Sequence, residues 1–292
     1  MIITNELNLP QPFVSAVSRE HTYTDKRYSA TSILKGTREA ILQRRHADEI
    51  EQDVADSIWL IFGNAVHSIL EQAQESESQL KENWVSADLS NGYTVSGIFD
   101  LYDDSTGKVT DYKTATVWKV IFGEFDDYRK QVLIYCWILR EMGFDAHTGE
   151  IVMLLKDHSK TKAKTEANYP KHPVHIVSWE FTDNDFAEIG NWLEMKFLEI
   201  EAAEALPDDL LPLCTPEERW AKPPKFAVMK NQNKRATKLF DTEEEAQSFI
   251  DFHSRNSKDK FFIEKRPGTD GKCSEYCSVC EFCDYWRENY GV

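Results

Sequence analysis

Apolar residues recur with two distinct periods along the first part of the chain. Ser29–Gln43 (SATSILKGTREAILQ) has the helical period, with Ser29 or Thr31 placed to accept the first free amide hydrogens. A second helix is predicted through Ile58–Ala73, where Ile58, Phe62, Ala65, Val66, Ile69 and Leu70 form an apolar stripe. The period then shortens to alternation. Tyr93–Tyr102 and Lys108–Thr114 read as strands joined by the turn-rich Asp103-Asp104-Ser105-Thr106-Gly107, which makes a hairpin. Asp127–Met142 is an amphipathic helix that should end near Gly143, a residue suited to a left-handed cap. Glu150–Lys156 and Val174–Phe181 are predicted strands around a polar, lysine-rich loop, and Asp183–Leu206 is a long helix. From Pro207 the texture changes, and the proline-rich LPDDLLPLCTPEERWAKPPK marks a boundary. Beyond it, Phe226–Lys230, Ala236–Phe240, Thr242–His253 and Phe261–Glu264 suggest a strand–strand–helix–strand module. The class is α/β: a mixed central sheet flanked by helices in 1–206, a linker and small α+β insertion in 207–266, and a cysteine-rich metal-binding tail in 267–292.

Composition limits what this fold does. A chain of 292 residues with 41% hydrophobic content supports one substantial core and a smaller appended module. No apolar run is long enough to cross a bilayer, and MIITNELNLP lacks the basic-then-apolar order of an export signal. A cytoplasmic protein of a bacterium or phage-infected cell, with no membrane association, is therefore expected. The net charge of −16 argues against general coating of nucleic acid. What governs binding, however, is the field near the site, and a divalent ion brings positive charge of its own. Lysines gather in 156–171 and 222–238, so Lys160, Lys162, Lys164, Lys230 and Arg235 are candidate phosphate contacts, although a solvated charged loop accounts for them equally well. Phe226, Trp220 and Tyr169 are candidates to stack on bases. Four of the six cysteines lie between Cys273 and Cys283, and in a reducing compartment such crowding reads as metal ligation rather than disulfides. Cys136 falls in the apolar stripe of its helix and reads as core.

The chemistry centres on Asp100, Asp111 and Lys113. Side chains alternate along a strand, so Asp111 and Lys113 share a face while Tyr112 takes the other, and the hairpin brings Asp100 alongside. Two carboxylates converging on one point repel each other unless a hard cation lies between them, and oxygen ligands suit Mg²⁺ or Mn²⁺. Gly63, His67 and Glu71 recur every four residues on one helix face, as do Gln131 and Tyr135 on another. An imidazole ligand from His67 would favour Mn²⁺ somewhat. Taken singly, Asp111 and Lys113 read as a strand-surface ion pair, His67 as a core histidine and Gln131 and Tyr135 as helix packing. It is the ordered set that carries chemistry.

That set, GNAVHSILE, SGIFDLYD, VTDYKT and QVLIY, resembles the RecB-like branch of the PD-(D/E)XK nucleases over roughly Ser29 to Phe181. The resemblance implies a restriction-endonuclease-like core. It also implies that His67, Asp100 and Asp111 hold Mg²⁺ or Mn²⁺ with help from the Tyr112 carbonyl, that Lys113 is catalytic, and that Gln131 and Tyr135 organise the site. Relatives, including AddB-type helicase–nucleases and CRISPR-associated exonucleases, hold an iron–sulfur cluster with one distant cysteine and three near the C-terminus. This chain departs from them: the segment around Gly36-Thr37-Arg38 has no cysteine. Either the four tail cysteines bind together, or Cys214 joins Cys273, Cys277 and Cys283, with Cys280 spare, closing a long loop. A [4Fe–4S] cluster and structural Zn²⁺ both suit four thiolates. The implied activity is hydrolysis of DNA, single-stranded or with processed ends, by an exonuclease of recombination, repair or phage DNA metabolism. No P-loop motif is present, so unwinding would need a helicase or recombination partner protein. The alternatives are an endonuclease of the same superfamily and a non-catalytic nucleic-acid-binding assembly protein.

Overall fold

The computed structural model describes residues 1–18, 23–255 and 258–291, and the chain falls into two units, Met1–Pro207 and Asp208–Val292. The first unit contains, in order, β1 (Ile2–Thr4), α1 (Gln11–Val17), β2 (Arg27–Ser29), α2 (Ala30–Ile33), α3 (Thr37–Arg45), β3 (Glu51–Asp53), α4 (Ile58–Glu71) and β4 (Gln79–Asp88). It continues with β5 (Thr94–Asp103), β6 (Lys108–Ala115), α5 (Val117–Phe122), α6 (Asp126–Glu141), β7 (Thr148–Leu155), α7 (Lys160–Thr165), β8 (Val174–Glu180) and α8 (Asp183–Glu204). Six strands form one mixed sheet flanked by helices, as the periodicity predicts.

Three differences from the predicted elements have local causes. The helix predicted over Ser29–Gln43 is two helices. The Ser29 hydroxyl caps the first by accepting the Ser32 amide hydrogen at 3.1 Å, and Gly36, extended at ψ 145°, interrupts it before Thr37. The strand β4 escaped the periodic reading because only Val85 and Ala87 along it are buried. The apolar stripe of α4 does not enter the core: none of its residues is buried, and Ile69 is 69% exposed.

The pairing of β5 sets the architecture. Along one edge it pairs antiparallel with β4 over its whole length, Gln79↔Asp103 to Asp88↔Thr94. Its other edge is divided. The parallel β2 takes Thr94–Ser96 and the antiparallel β6 takes Leu101–Asp103, so among the described residues Gly97–Asp100 have no strand partner on that side. Beyond Thr110, β6 turns away with β7, which it pairs in parallel through Ala115, and β8 closes the sheet antiparallel to β7. The two central strands thus open as a fork. Helix α6 lies against it, burying Val132, Leu133, Ile134, Ile138 and Leu139, and its Tyr135 ring enters beside Gly97. A Cβ at position 97 would come within 2.5 Å of that ring. Helix α8 packs along α6, with the Arg129 guanidinium donating to Asp185 at 2.5 Å, and buries Phe197 against Tyr28 and Tyr93, whose hydroxyls donate to the Glu204 carboxylate at 2.7 and 2.8 Å.

The second unit contains β9 (Ala221–Lys222), β10 (Lys225–Lys230), β11 (Lys238–Phe240), α9 (Glu243–Ser254), β12 (Phe261–Arg266), β13 (Thr269–Asp270), α10 (Gly271–Glu275) and α11 (Asp284–Asn289). Strand β10 is central, antiparallel to β11 and β12, with Ala227, Val228, Met229 and Ala246 buried. The tail begins as a strand pair, β13 with β9. The Asp270 carboxylate then accepts hydrogen bonds from the hydroxyls of Tyr285 (2.5 Å) and Tyr290 (3.1 Å) and faces Arg219 at 3.4 Å.

The contact at Gly97 yields a test of the fork. Gly97→Ala drives a methyl group into a buried ring and should cost about 1–3 kcal/mol, read as a lower denaturant midpoint at unchanged slope; Gly97→Ala combined with Tyr135→Leu should recover part of the loss.

Candidate active site

The ladder between β5 and β6 stops at Leu101↔Thr110, and the next residue toward the fork is Asp100. Its carboxylate replaces the missing strand. Oδ2 accepts the Tyr112 amide hydrogen at 2.5 Å, which fixes Asp100 across the opening, while Oδ1 faces His67 Nδ1 at 3.1 Å. Alternation along β6 places Tyr112 toward α4, its ring 6.2 Å from that of His67, and sends Asp111 and Lys113 toward α6. There the Gln131 amide nitrogen donates to Asp111 Oδ1 at 3.2 Å and lies 3.3 Å from the Tyr135 hydroxyl. Asp111 Oδ2 is buried. The Lys113 ammonium lies 2.6 Å from it as an ion-pair partner, and no other group donates to this oxygen. Gln131 therefore holds one oxygen of Asp111 and leaves the other available.

Helix α4, which delivers His67, passes β6 at Gly63, where a Cβ would meet Thr114 Oγ1 at 3.6 Å, an ordinary van der Waals contact. A third group, not anticipated from the sequence, completes this side. Glu82 on β4 lies directly opposite Asp100, between the pairs Lys81↔Leu101 and Asn83↔Phe99, and its backbone has φ +50°. That left-handed conformation is costly for a side chain other than glycine and characteristic of functional sites. Glu82 Oε1 is 3.7 Å from His67 Nδ1, and one donor atom each of His67, Glu82 and Asp100 fall within 4.8 Å of one another. The signal for Glu82 was present: Asn91-Gly92, with φ +79° at the glycine, is a hairpin turn that pairs 79–88 with 94–103.

The electrostatics show excess negative charge. Burial pushes Asp111 up to about 6, the charge of Asp100 pushes in the same direction, and Lys113 opposes them. His67 is raised by its hydrogen bond to Asp100, against the effect of burial, with the charges of Asp100, Glu82 and Asp111 adding to the rise. Burial and the charge of Asp100 also raise Glu82. Oxygen-rich groups that hold protons above their ordinary range, with one buried carboxylate oxygen met only by an ammonium, are the donor set a hard divalent cation fits.

A sequence profile of the PD-(D/E)XK nuclease superfamily matches residues 37–286. The chain belongs to that superfamily. PD-(D/E)XK proteins are generally metal-dependent nucleases, and the mixed sheet with its open fork is the restriction-endonuclease-like architecture expected of them. No curated protein matches the sequence. Five chains of known structure match; one of them, described as the crystal structure of SSO0001, is 14% identical, with 64% of this chain and 82% of that chain covered at a TM-score of 0.47. No helix among the described residues is long and apolar enough to cross a membrane.

The other predicted residues of this PD-(D/E)XK chain are dispersed. Cys214, Cys273, Cys277, Cys280 and Cys283 are half-buried and form no disulfide. The Cys273 thiol is pushed up to about 11 by burial and by the charges of Asp270, Cys214 and Cys283. Among the described residues, the group whose ligand atoms converge closely enough to hold an ion is His67, Glu82 and Asp100, and it includes no cysteine. Cys280 is raised by burial, with Glu281 and Cys283 adding to it. Cys136 is buried in the core. Lys160, Lys162 and Lys164 project from the short helix α7, Arg235 is exposed, and Lys230 pairs with Asp259 at 2.7 Å. Tyr169 is not a stacking surface: it is buried, and its hydroxyl accepts the Ser159 amide hydrogen at 2.8 Å.

Asp111 has a measurable consequence. Its folded pKa lies above the unfolded value, so the metal-free protein loses stability as pH rises from about 4 to 6, and the loss persists above that range. Asp111→Asn should reduce this slope, leaving the smaller share from Glu82, and raise the melting temperature of the metal-free protein at pH 7.5 by roughly 5 °C. Calorimetry across pH checks both.

Proposed function

We propose that this protein is a Mg²⁺- or Mn²⁺-dependent deoxyribonuclease that works as an exonuclease on single-stranded or end-processed DNA. The observation that carries the reading is the fork, where Asp100 and the Asp111 oxygen that Gln131 does not hold converge beside Lys113. His67, Asp100, Asp111 and the Tyr112 carbonyl would hold the ion, with Glu82 at its edge. When bound, such an ion supplies Lewis-acid polarisation of a phosphate oxygen and lowers the pKa of water.

The chain's own residues do the remaining work. Lys113 places a positive charge beside Asp111, where charge develops on a phosphate in the transition state, and such fixed charge is most effective in a site that excludes water. Gln131 fixes the Asp111 rotamer through Oδ1, and Tyr135 supports Gln131 from the floor of the fork. Asp100 ties β6 to β5 through the Tyr112 amide, which orients the Tyr112 carbonyl between two residues of the site.

The cysteines form a second candidate centre. Cys214, Cys273, Cys277 and Cys283 would hold a [4Fe–4S] cluster, with Cys280 spare and Zn²⁺ as the alternative occupant. The support for this set is the crowding of four cysteines within 273–283 and the long loop that Cys214 would close. Exonuclease action, recombination, repair or phage DNA metabolism as the setting, a helicase or recombination partner and a cytoplasmic location together make the reading that fits the motif order.

Digestion of end-labelled single- and double-stranded DNA with Mn²⁺ tests the nuclease. Lys113→Ala should lower cleavage about 100- to 1000-fold, Asp111→Ala should remove Mn²⁺-dependent cleavage, and closed circular DNA should survive. Cleavage that persists in both variants would refute the assignment; a cut circle would make the protein an endonuclease. For the cysteine centre, anaerobically purified protein should show broad visible absorbance that Cys273→Ala and Cys214→Ala both remove, whereas stoichiometric zinc without colour would assign the site to zinc.

A further inference from the structure

The helix that delivers His67 carries aromatic side chains that the fold leaves in solvent. On α4, Trp59 is 56% and Phe62 41% exposed, with ring centroids 6.3 Å apart. Trp59, Gly63 and His67 are spaced four residues apart and share one stripe of the helix, which places Trp59 about 12 Å from His67 along the axis. The Lys156 ammonium stands 3.8 Å from the centroid of the Trp59 ring. Lys156 is itself anchored at the end of the catalytic strand, since its backbone amide donates to the Ala115 carbonyl at 3.0 Å.

The next residue continues the surface. The Asp157 carboxylate accepts the Val117 amide hydrogen at 2.7 Å, at the start of α5. That helix exposes Trp118 (53%) and Phe122 (65%), whose rings stack at 5.8 Å and 24°. Two exposed aromatic pairs therefore flank the end of the strand that carries Asp111 and Lys113, with a lysine between them. The Lys156 ammonium is exposed over the tryptophan and would have to be desolvated against another protein's apolar surface, a cost that no anion there would offset. A strand of nucleic acid supplies both complements, a base face for the ring and a phosphate for the cation.

We propose that Trp59 and Lys156 on one side, and Trp118 and Phe122 on the other, form a base-stacking platform that holds unpaired nucleotides of the substrate strand beside the fork. The platform rests on the nuclease reading for the identity of the strand and adds its state: the bases next to the scissile phosphate are unstacked and single-stranded. In a duplex the base faces are covered by their neighbours, so the platform selects against paired ends.

Fluorescence anisotropy without added divalent ions, so that no strand is cleaved, tests this with three probes: oligothymidylate, an abasic strand of equal length and a blunt duplex. Trp59→Ala should weaken oligothymidylate binding about 10-fold and leave the abasic strand and the duplex unchanged; Trp59→Phe should restore most of the affinity, and Trp118→Ala should behave like Trp59→Ala. The proposal is overturned if Trp59→Ala and Trp118→Ala both bind oligothymidylate as the wild type does, or if they lose affinity equally for the abasic strand. Concentration-dependent self-association abolished by Trp59→Ala, with strand affinity unchanged, would overturn it in favour of a second copy of the chain. Mn²⁺-dependent cleavage by the wild type is scored separately. Base-dependent binding without cleavage refutes the nuclease and leaves the platform, whereas cleavage with binding indifferent to both tryptophans does the reverse.

Discussion

Strand β5 cannot be paired on both edges along its whole length, and the candidate site is made from that deficit. The stretch Gly97–Asp100 gives up ladder hydrogen bonds on one side, and unpaired backbone polar groups inside a protein are costly. On the β6 side of the opening, the Asp100 carboxylate takes the Tyr112 amide hydrogen that has lost its strand partner. That single bond closes the fork at its apex, sets where β6 departs and commits a charged group to a position 6% exposed to solvent. Everything else in the site is arranged around it. His67 reaches its other oxygen, Glu82 faces it across β4, and Asp111 is brought within reach of its charge.

The fork also explains the division of labour between the two helices. Alternation on β6 sends Tyr112 one way and Asp111 with Lys113 the other, so no one helix could serve both faces. Helix α4 brings an imidazole to one face, and α6 brings the amide of Gln131 to the other. The α6 side is packed and buried, which fixes the geometry of Asp111. The α4 side is open, with no buried residue along the helix. A hydrolytic site needs both conditions: rigid support for the groups that develop charge and a path by which the substrate arrives.

Much of this was legible in the sequence. The strand alternation through 108–115 separated Asp111 and Lys113 from Tyr112, and the four-residue spacing of Gln131 and Tyr135 put both on the α6 face that meets Asp111. What escaped was set by tertiary pairing. Strand β4 is polar over half its length because its edge position requires little burial, and without it Glu82 had no address. The Asn91-Gly92 turn would have supplied one, since a hairpin of fixed register places residue 82 opposite residue 100. The break at Gly36 was also visible as a glycine inside a helical pattern, but tertiary packing decides whether such a residue is tolerated or ends the helix. The stripe on α4 failed for a different reason. Periodicity reports that one face is apolar, not what the face meets.

That last ambiguity bears on how a strongly acidic chain handles a polyanion. The net charge of −16 repels DNA at long range, and salt screens that repulsion within about 10 Å. Capture must then rest on short-range contacts. In the proposed nuclease an ion held by His67, Asp100 and Asp111 would neutralise charge where the phosphate sits, with Lys113 on β6 and Lys156 just after β7 as two further cations. Stacking on exposed rings is indifferent to net charge, because it acts on the base and not on the phosphate. On the proposed reading, the apolar side chains left on the surface of α4 and α5 would be the complement of the acidic surface elsewhere: where electrostatics cannot supply general affinity, the aromatic faces would supply it locally.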